Sequence, residues 1–113
     1  MTNPRRDRDD INELLAEMCS NDPRLRLGKM MGHVGIYVGR KMAMFAYDDG
    51  LCVRVPREEE EQLLADTPGS RPFMPMGRRM RGWVIISRDE AEKYINHPFV
   101  LQAIHLAELA THR

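Results

Sequence analysis

Residues 29–56, KMMGHVGIYVGRKMAMFAYDDGLCVRVP, form the stretch that decides the fold. Within it, residues 34–38 (VGIYV) place apolar side chains at alternate positions, which is typical of a β-strand with one buried face. Residues 39–40 (GR) and 48–50 (DDG) have the composition of tight turns between strands. The stretch therefore predicts three strands joined by two turns.

The first turn defines how the first two strands pair. Glycine at position 39, the first central position of a two-residue loop, favours a type II′ turn, whose twist matches that of the flanking strands. The cross-strand pairs predicted from this turn are Val38 with Lys41, Ile36 with Ala43, and Val34 with Phe45.

The second turn is interpreted as a three-residue loop, Asp48-Asp49-Gly50, with Gly50 in the left-handed conformation. A two-residue Asp49-Gly50 loop would put Leu51, Val53 and Val55 on the face opposite Phe45, so hydrophobic consistency favours the longer loop. The pairs that follow are Tyr47 with Leu51, Phe45 with Val53, and Ala43 with Val55. The predicted buried face consists of Val34, Ile36, Val38, Ala43, Phe45, Tyr47, Leu51, Val53 and Val55.

Helical patterns flank this sheet on both sides. A helix is predicted from Asp10, as N-cap, to the stop signal at residues 21–23 (NDP). Its apolar stripe is Ile11, Leu14, Leu15, Met18 and Cys19. A last helix beginning at Pro98 has a predicted inner face of Phe99, Val100, Ala103, Ile104 and Ala107.

Between these helices, the sequence predicts a helix over residues 56–66, a proline-interrupted edge strand over 73–76 and a more central strand over 82–86. Another helix is predicted to begin after Ser87. The element order is α-β(3)-α-β(2)-α. Helices on one face of a mainly antiparallel sheet make a two-layer α+β sandwich, which is the predicted fold class.

Length, charge and cysteine content restrict the class of protein. With 113 residues, the chain is expected to form one domain over residues 9–113, preceded by a disordered tail over 1–8. No apolar run is long enough to span a membrane, and the N-terminus has no apolar core typical of a secretory signal. Cys19 and Cys52 have no metal-binding spacing and indicate a reducing compartment. We therefore expect a cytoplasmic protein with no membrane partner.

The motif at residues 29–37, KMMGHVGIY, resembles the N-terminal domain of the TfoX/Sxy competence-regulator family, whose pattern is Lys-Met-Phe-Gly-Gly-x-Gly before an aromatic strand. The similarity continues in residues 39–42, 51–55, 71–73 and 80–84. In total it covers about residues 10–109. Met31 and His33 depart from the pattern. The resemblance implies a regulatory or protein-interaction domain, and it transfers no set of catalytic residues.

The histidines and serines do not form a pattern typical of catalysis or metal binding. His33, His97, His105 and His112 include no closely spaced pair of metal ligands. No Gly-x-Ser-x-Gly nucleophile motif and no phosphate loop are present. A protein that binds a metal or a small molecule is therefore only the third hypothesis, and we expect no enzyme, no metal and no cofactor.

The first candidate site is an interaction face that consists of Tyr37, Met42, Met44 and Cys52. The predicted register puts these side chains opposite the main buried face. An apolar face of this kind is covered either by the C-terminal helices or by another protein, and the sequence leaves both alternatives open. The hypothesis that follows is a protein-interaction domain that forms a homodimer.

The second candidate site is an anion-binding cluster that consists of Arg71, Arg78, Arg79 and Arg81. They could contact phosphates or other anions, which makes a nucleic-acid-associated transcription or competence regulator the alternative function. The favoured interpretation is that their charges pair with the acidic run at residues 58–61. A formal net charge of zero, from 17 basic and 17 acidic residues, also makes nucleic acid the less favoured partner.

Overall fold

The structure, a computed structural model, describes residues 9–48 and 50–111. The predicted tail over residues 1–8 lies outside the described residues, as does His112. The helices are α1 (Asp9–Asn21), α2 (Glu60–Asp66), α3 (Arg88–Tyr94) and α4 (Pro98–Thr111). The strands are β1 (Leu25–Met30), β2 (His33–Val38), β3 (Lys41–Tyr47), β4 (Gly50–Arg54), β5 (Ser70–Pro72) and β6 (Trp83–Ser87).

The strands form one six-stranded antiparallel sheet in the order β1-β2-β3-β4-β6-β5. Apolar residues from all four helices pack against the same side of this sheet. The predicted class, an α+β fold with helices layered on a mainly antiparallel sheet, is confirmed. Over the described ranges, no helix combines the length and the apolarity needed to cross a membrane.

The apolar stripes of the first and last helices are confirmed. In α1, Ile11 and Leu15 are fully buried, and the other members of the stripe pack against the same core. All the residues predicted for the inner face of α4 are buried. Apolar residues at helical spacing identify the buried side of a helix, because one turn is close to 3.6 residues in any context.

Strand β1 was absent from the sequence prediction. Its residues, LRLGKM, show only a weak alternation of buried and exposed positions, and Leu27 is 42% exposed. The strand lies at the sheet edge, where fewer neighbours cover its side chains, so it needs no strong apolar alternation. Met31 and Gly32, both with positive φ, connect it to β2.

The turn after β2 is confirmed, but the pairing beyond it differs from the prediction. Val38 pairs with Lys41 and Gly39 has a positive φ, as expected for the first turn. A β-bulge then makes Ile36 pair with Met44. The extra residue, Ala43, puts Ala43 and Met44 on the same side of the sheet, which a regular strand does not allow.

The predicted loop after β3 was wrong. Tyr47 pairs with Gly50, so the connection is shorter than the expected three residues, and Gly50 belongs to β4 without a positive φ. Asp49 lies outside the described residues. Glycine is required at position 50 for a different reason, since an added Cβ atom would lie 2.8 Å from Cγ1 of Ile85.

The bulge and the shorter loop together exchange two pairs of residues between the sheet faces. Met44 and Ala46 lie in the helix-covered core, whereas Phe45 and Tyr47 lie on the opposite face. The predicted burial of Phe45 and Tyr47 against the helices was therefore wrong. The remaining members of the predicted face pack in that core as expected.

The second half of the chain agrees with the prediction in order but not in all boundaries. The edge strand is Ser70–Pro72, and residues 73–82 instead form a loop that contains a 3₁₀ turn at Pro75–Gly77. Trp83–Ser87 lies between β4 and β5, as expected for a more central strand. Of the helix predicted over residues 56–66, Arg57–Glu59 form a short 3₁₀ turn that leads into α2.

Candidate interaction face

The sheet face without a described α-helix is covered by aromatic rings. The rings form one connected cluster, whose members are His33, Phe45, Tyr47, Phe73 and Trp83. We call this cluster, together with the buried Met42, Cys52 and Ile85 beneath it, the aromatic face. The centroid of Phe45 lies 5.6 Å from that of Phe73 and 5.4 Å from that of Trp83. Tyr47 connects His33, at 4.9 Å, with Phe73, at 5.0 Å.

Two adjacent glycines allow side chains to lie close to the sheet on this face. Gly28 in β1 pairs with Gly35 in β2. A Cβ atom at Gly28 would meet the ring of Tyr37 at 2.7 Å, and one at Gly35 would meet Cε of Met42 at 2.8 Å. Because no side chain projects from either glycine, the Tyr37 ring and the Met42 thioether lie against backbone.

Arginine side chains stack on two of the rings at this face. The guanidinium carbon of Arg26 lies 5.0 Å from the Tyr37 centroid, and that of Arg54 lies 4.8 Å from the Trp83 centroid. Both distances are within the range of a cation–π interaction. Arg54 also donates a hydrogen bond from Nε to the carbonyl oxygen of Met42, at 2.9 Å. These contacts orient the two arginines relative to the sheet.

Exposed methionines lie in the loops next to the aromatic face. Met31 is 93% exposed in the β1–β2 turn, next to the strand that carries His33. In the loop after Phe73, Met74, Met76 and Met80 are 52%, 98% and 47% exposed. The backbone amide of Met80 donates to the carbonyl oxygen of Phe73, which connects the loop to the cluster. Exposed methionines are adaptable contact residues.

The structure separates the four residues predicted as an interaction face. Tyr37, Met42 and Cys52 lie on the aromatic face, but Met42 and Cys52 are buried within it. Met44 lies on the other side of the sheet and is fully buried under the helices. Burial also raises the pKa of the Cys52 thiol well above its ordinary value. The prediction for Met44 was wrong because of the β-bulge next to it.

The second predicted cluster is organised around Glu60, whose side chain is fully buried. Arg79 donates to Oε2 of Glu60 from Nε at 3.1 Å, and it also pairs with Glu61. Oε1 of Glu60 accepts a hydrogen bond from the backbone amide of Gly82 at 2.8 Å and lies 3.4 Å from Nε of Arg81. For Arg79 and Arg81, the predicted pairing with the acidic run is confirmed.

Arg71 and Arg78 lie apart from this carboxylate. Arg71 is in β5 and pairs with Ile85 of β6, at the rim of the aromatic face. Arg78 is exposed in the loop over residues 73–82. The structure therefore does not bring the four arginines together as one anion site. Phosphate contact remains a prediction for Arg71 and Arg78.

Glu60 has an electrostatic role that the sequence did not reveal. Burial raises the pKa of its carboxyl, but the hydrogen bonds from Gly82 and Arg79 and the charges of Arg79 and Arg81 outweigh this effect. The pKa of Glu60 therefore lies below its ordinary value of 4.5. The ionised carboxylate stabilises the fold because it holds the loop before β6 against the start of α2.

Glu60→Gln should lower the free energy of unfolding by about 2 kcal/mol at pH 7, because it weakens charge-assisted hydrogen bonds in a buried site. In the wild type, this stabilisation is present above pH 4.5, the ordinary pKa, and is lost as pH falls through the lower folded-state pKa. The Glu60→Gln variant should not show this loss of stability at low pH. Urea titrations between pH 7 and pH 3 measure both effects.

Glu61→Gln is the matched control for that prediction. Glu61 also pairs with Arg79, but its side chain is 67% exposed. Exposed ion pairs contribute at most about 1 kcal/mol. Equal destabilisation in the two variants, or an unchanged acid transition in Glu60→Gln, would contradict the proposed role of Glu60.

The ring cluster could not be identified from the sequence, because its members are separated by up to fifty residues, from His33 to Trp83. The histidines do not converge on a metal site: over residues 9–48 and 50–111, no three side chains of His, Cys, Asp or Glu have metal-binding geometry. His33 instead packs on the Tyr47 ring.

The fold and the aromatic face together define an α+β domain in which helices cover one face of the sheet and aromatic rings cover the other. Compared with protein-family models, curated protein sequences and solved structures, the chain shows no significant match.

Proposed function

We propose that this chain is a non-enzymatic, cytoplasmic protein-interaction domain of the TfoX N-terminal type, which forms a homodimer through its aromatic face. The resemblance at residues 29–37 supports the type of domain. The observation that carries the proposed interaction is the ring cluster on the sheet face opposite the helices, with exposed methionines beside it. Aromatic residues and methionine are enriched at the centres of protein interfaces.

The exposed part of the aromatic face fits a second copy of the chain. Its central rings, Phe45 and Phe73, are buried within one chain, so a partner would contact the partly exposed Tyr47 and Trp83 and the exposed methionines around them. A two-fold dimer covers such a patch on both chains at once, because one self-complementary surface serves both subunits. A formal net charge of zero also means that two copies do not repel each other strongly.

Met80→Glu should convert the dimer to a monomer while the protein stays folded. Met80 is 47% exposed beside Phe73, so the carboxylate is hydrated in the monomer and would be desolvated in the dimer. We expect the dimer dissociation constant to rise at least about tenfold, which corresponds to 1.4 kcal/mol. Sedimentation equilibrium over a range of concentrations measures it.

Leu101→Glu is the matched control, because Leu101 is 45% exposed but lies on α4 in the helical layer. It should leave the dimer unchanged. A wild-type chain that is monomeric at high concentration would contradict the dimer. Equal weakening by both substitutions would show that association does not use the aromatic face.

A further inference from the structure

A cleft of about 480 Å³ lies between the ends of β4 and β6 and the last turns of α4. The side chains that line it include Arg54, Arg57, Arg81, Trp83, Leu106 and Leu109. Its volume lies within the range of small-molecule sites, about 300–1,000 Å³. The cleft meets the rim of the aromatic face at Trp83, but Arg57 and the leucines belong to neither of the sites described above.

The lining of the cleft has an excess of positive charge. It contains three arginines and a single carboxylate, from Glu58. Within residues 9–48 and 50–111, Arg54 has no carboxylate within ion-pair distance, although it is half-buried and held by the Met42 carbonyl. Burial accordingly lowers the pKa of Arg54, as expected for a desolvated cation without a counterion.

The other two arginines leave this excess in place. Arg57 is exposed at the start of the 3₁₀ turn, and its carbonyl oxygen accepts a long hydrogen bond from Arg81, at 3.4 Å. Arg81 lies 3.4 Å from Glu60, a carboxylate that Arg79 already contacts more closely. The positive charge of the cleft is therefore only partly neutralised.

The part of the lining that α4 contributes is apolar. Leu109 is 53% exposed, whereas the inner face of the same helix is buried. Leu106 and Ala110 of the same helix also line the cleft, together with the half-buried Trp83. The lining of the cleft therefore combines arginines with aliphatic side chains.

We propose that this cleft binds a small organic anion with an apolar body, such as a carboxylate on a short acyl chain. A guanidinium donates two parallel hydrogen bonds to a carboxylate, and Arg54 lines the cleft with its Nε donated to the Met42 carbonyl oxygen, so that its Nη groups would supply such a contact. The acyl chain would cover Leu106 and Leu109. This site goes beyond the proposed dimer, since it requires only one chain.

The test uses the fluorescence of Trp83, the single tryptophan of the chain, during titration with octanoate. We expect a saturable change, and octanamide, which has the same chain without the charge, should bind about tenfold more weakly. Arg57→Gln should weaken octanoate binding by about the same factor, and Leu109→Gln should weaken it severalfold. Both residues are exposed, so these variants keep the fold.

Arg78→Gln is the control, because it removes the same charge from an exposed position outside the lining. It should leave binding unchanged. No saturable signal, equal binding of octanamide, or equal weakening by Arg78→Gln would each overturn the proposal. Titrating the monomeric Met80→Glu variant in parallel separates the two proposals, since the cleft should bind octanoate whether or not the dimer forms.

Discussion

Met44→Asp should unfold the protein. The Met44 side chain is 0% exposed and lies between its cross-strand partners, Ile36 and Val53, under the helical layer. An aspartate there would be buried without a partner, either ionised or protonated at a high energetic cost. That cost is comparable to the whole stability of a small domain, about 5–15 kcal/mol. Far-ultraviolet circular dichroism should show loss of the native spectrum at 25 °C.

Two controls separate burial of charge from other effects at this position. Met44→Leu should cost less than about 1.5 kcal/mol, because it conserves volume in the core. Met31→Asp puts the same charge on a residue that is 93% exposed and should be nearly neutral. A folded, monomeric Met44→Asp protein would instead favour the register predicted from the sequence, with Met44 on the outer face.

Phe45→Ala should lower the free energy of unfolding by about 3–5 kcal/mol, the usual cost of deleting a buried aromatic side chain. Phe45 is 2% exposed and contacts Phe73, Trp83 and Tyr47, so its removal leaves a cavity at the centre of the aromatic face. Urea denaturation measures the loss. The near-ultraviolet signal of Trp83 should change as well, since the two centroids lie 5.4 Å apart.

A double-mutant cycle tests the side of the sheet on which Phe45 lies. Phe45→Ala and Phe73→Ala should couple by at least about 0.5 kcal/mol, because their rings are in edge-to-face contact. Phe45→Ala and Val100→Ala should be additive, since Val100 belongs to the core under α4 on the other side of the sheet. Coupling only in the second pair would contradict the register described above.

Helix positions and the fold class could be predicted because their signals are local. In α4, the buried positions follow directly from the spacing of Phe99, Val100, Ala103, Ile104 and Ala107. The turn at Gly39 could also be predicted, because its positive φ suits glycine in a two-residue loop. Strand β1 could not, since an edge strand carries no strong alternation of apolar residues.

The site was predicted only in part, because both faces of the sheet are apolar. Tyr37, Met42 and Cys52 were correctly placed together on one face. Phe45 and Met44 were exchanged, because hydrophobic consistency cannot decide between two buried faces. The β-bulge at Ala43 places Met44 on the helix-covered face of the sheet. No residue type in this part of the sequence indicates the bulge.

By itself, the sequence determined the apolar faces of the first and last helices, the hairpin that turns at Gly39 and the pairing of the acidic run with nearby arginines, which the structure shows for Glu60 and Glu61, since these depend on spacing within a few turns or on excess charge. Only the tertiary structure decided which face of the sheet carries the rings and that Glu60 is the buried partner of Arg79. The physical reason is that a one-residue shift in a strand reverses the face of each side chain beyond it. Such a shift is decided by packing across the sheet, where Gly50 lies against Ile85, and not by neighbours along the chain.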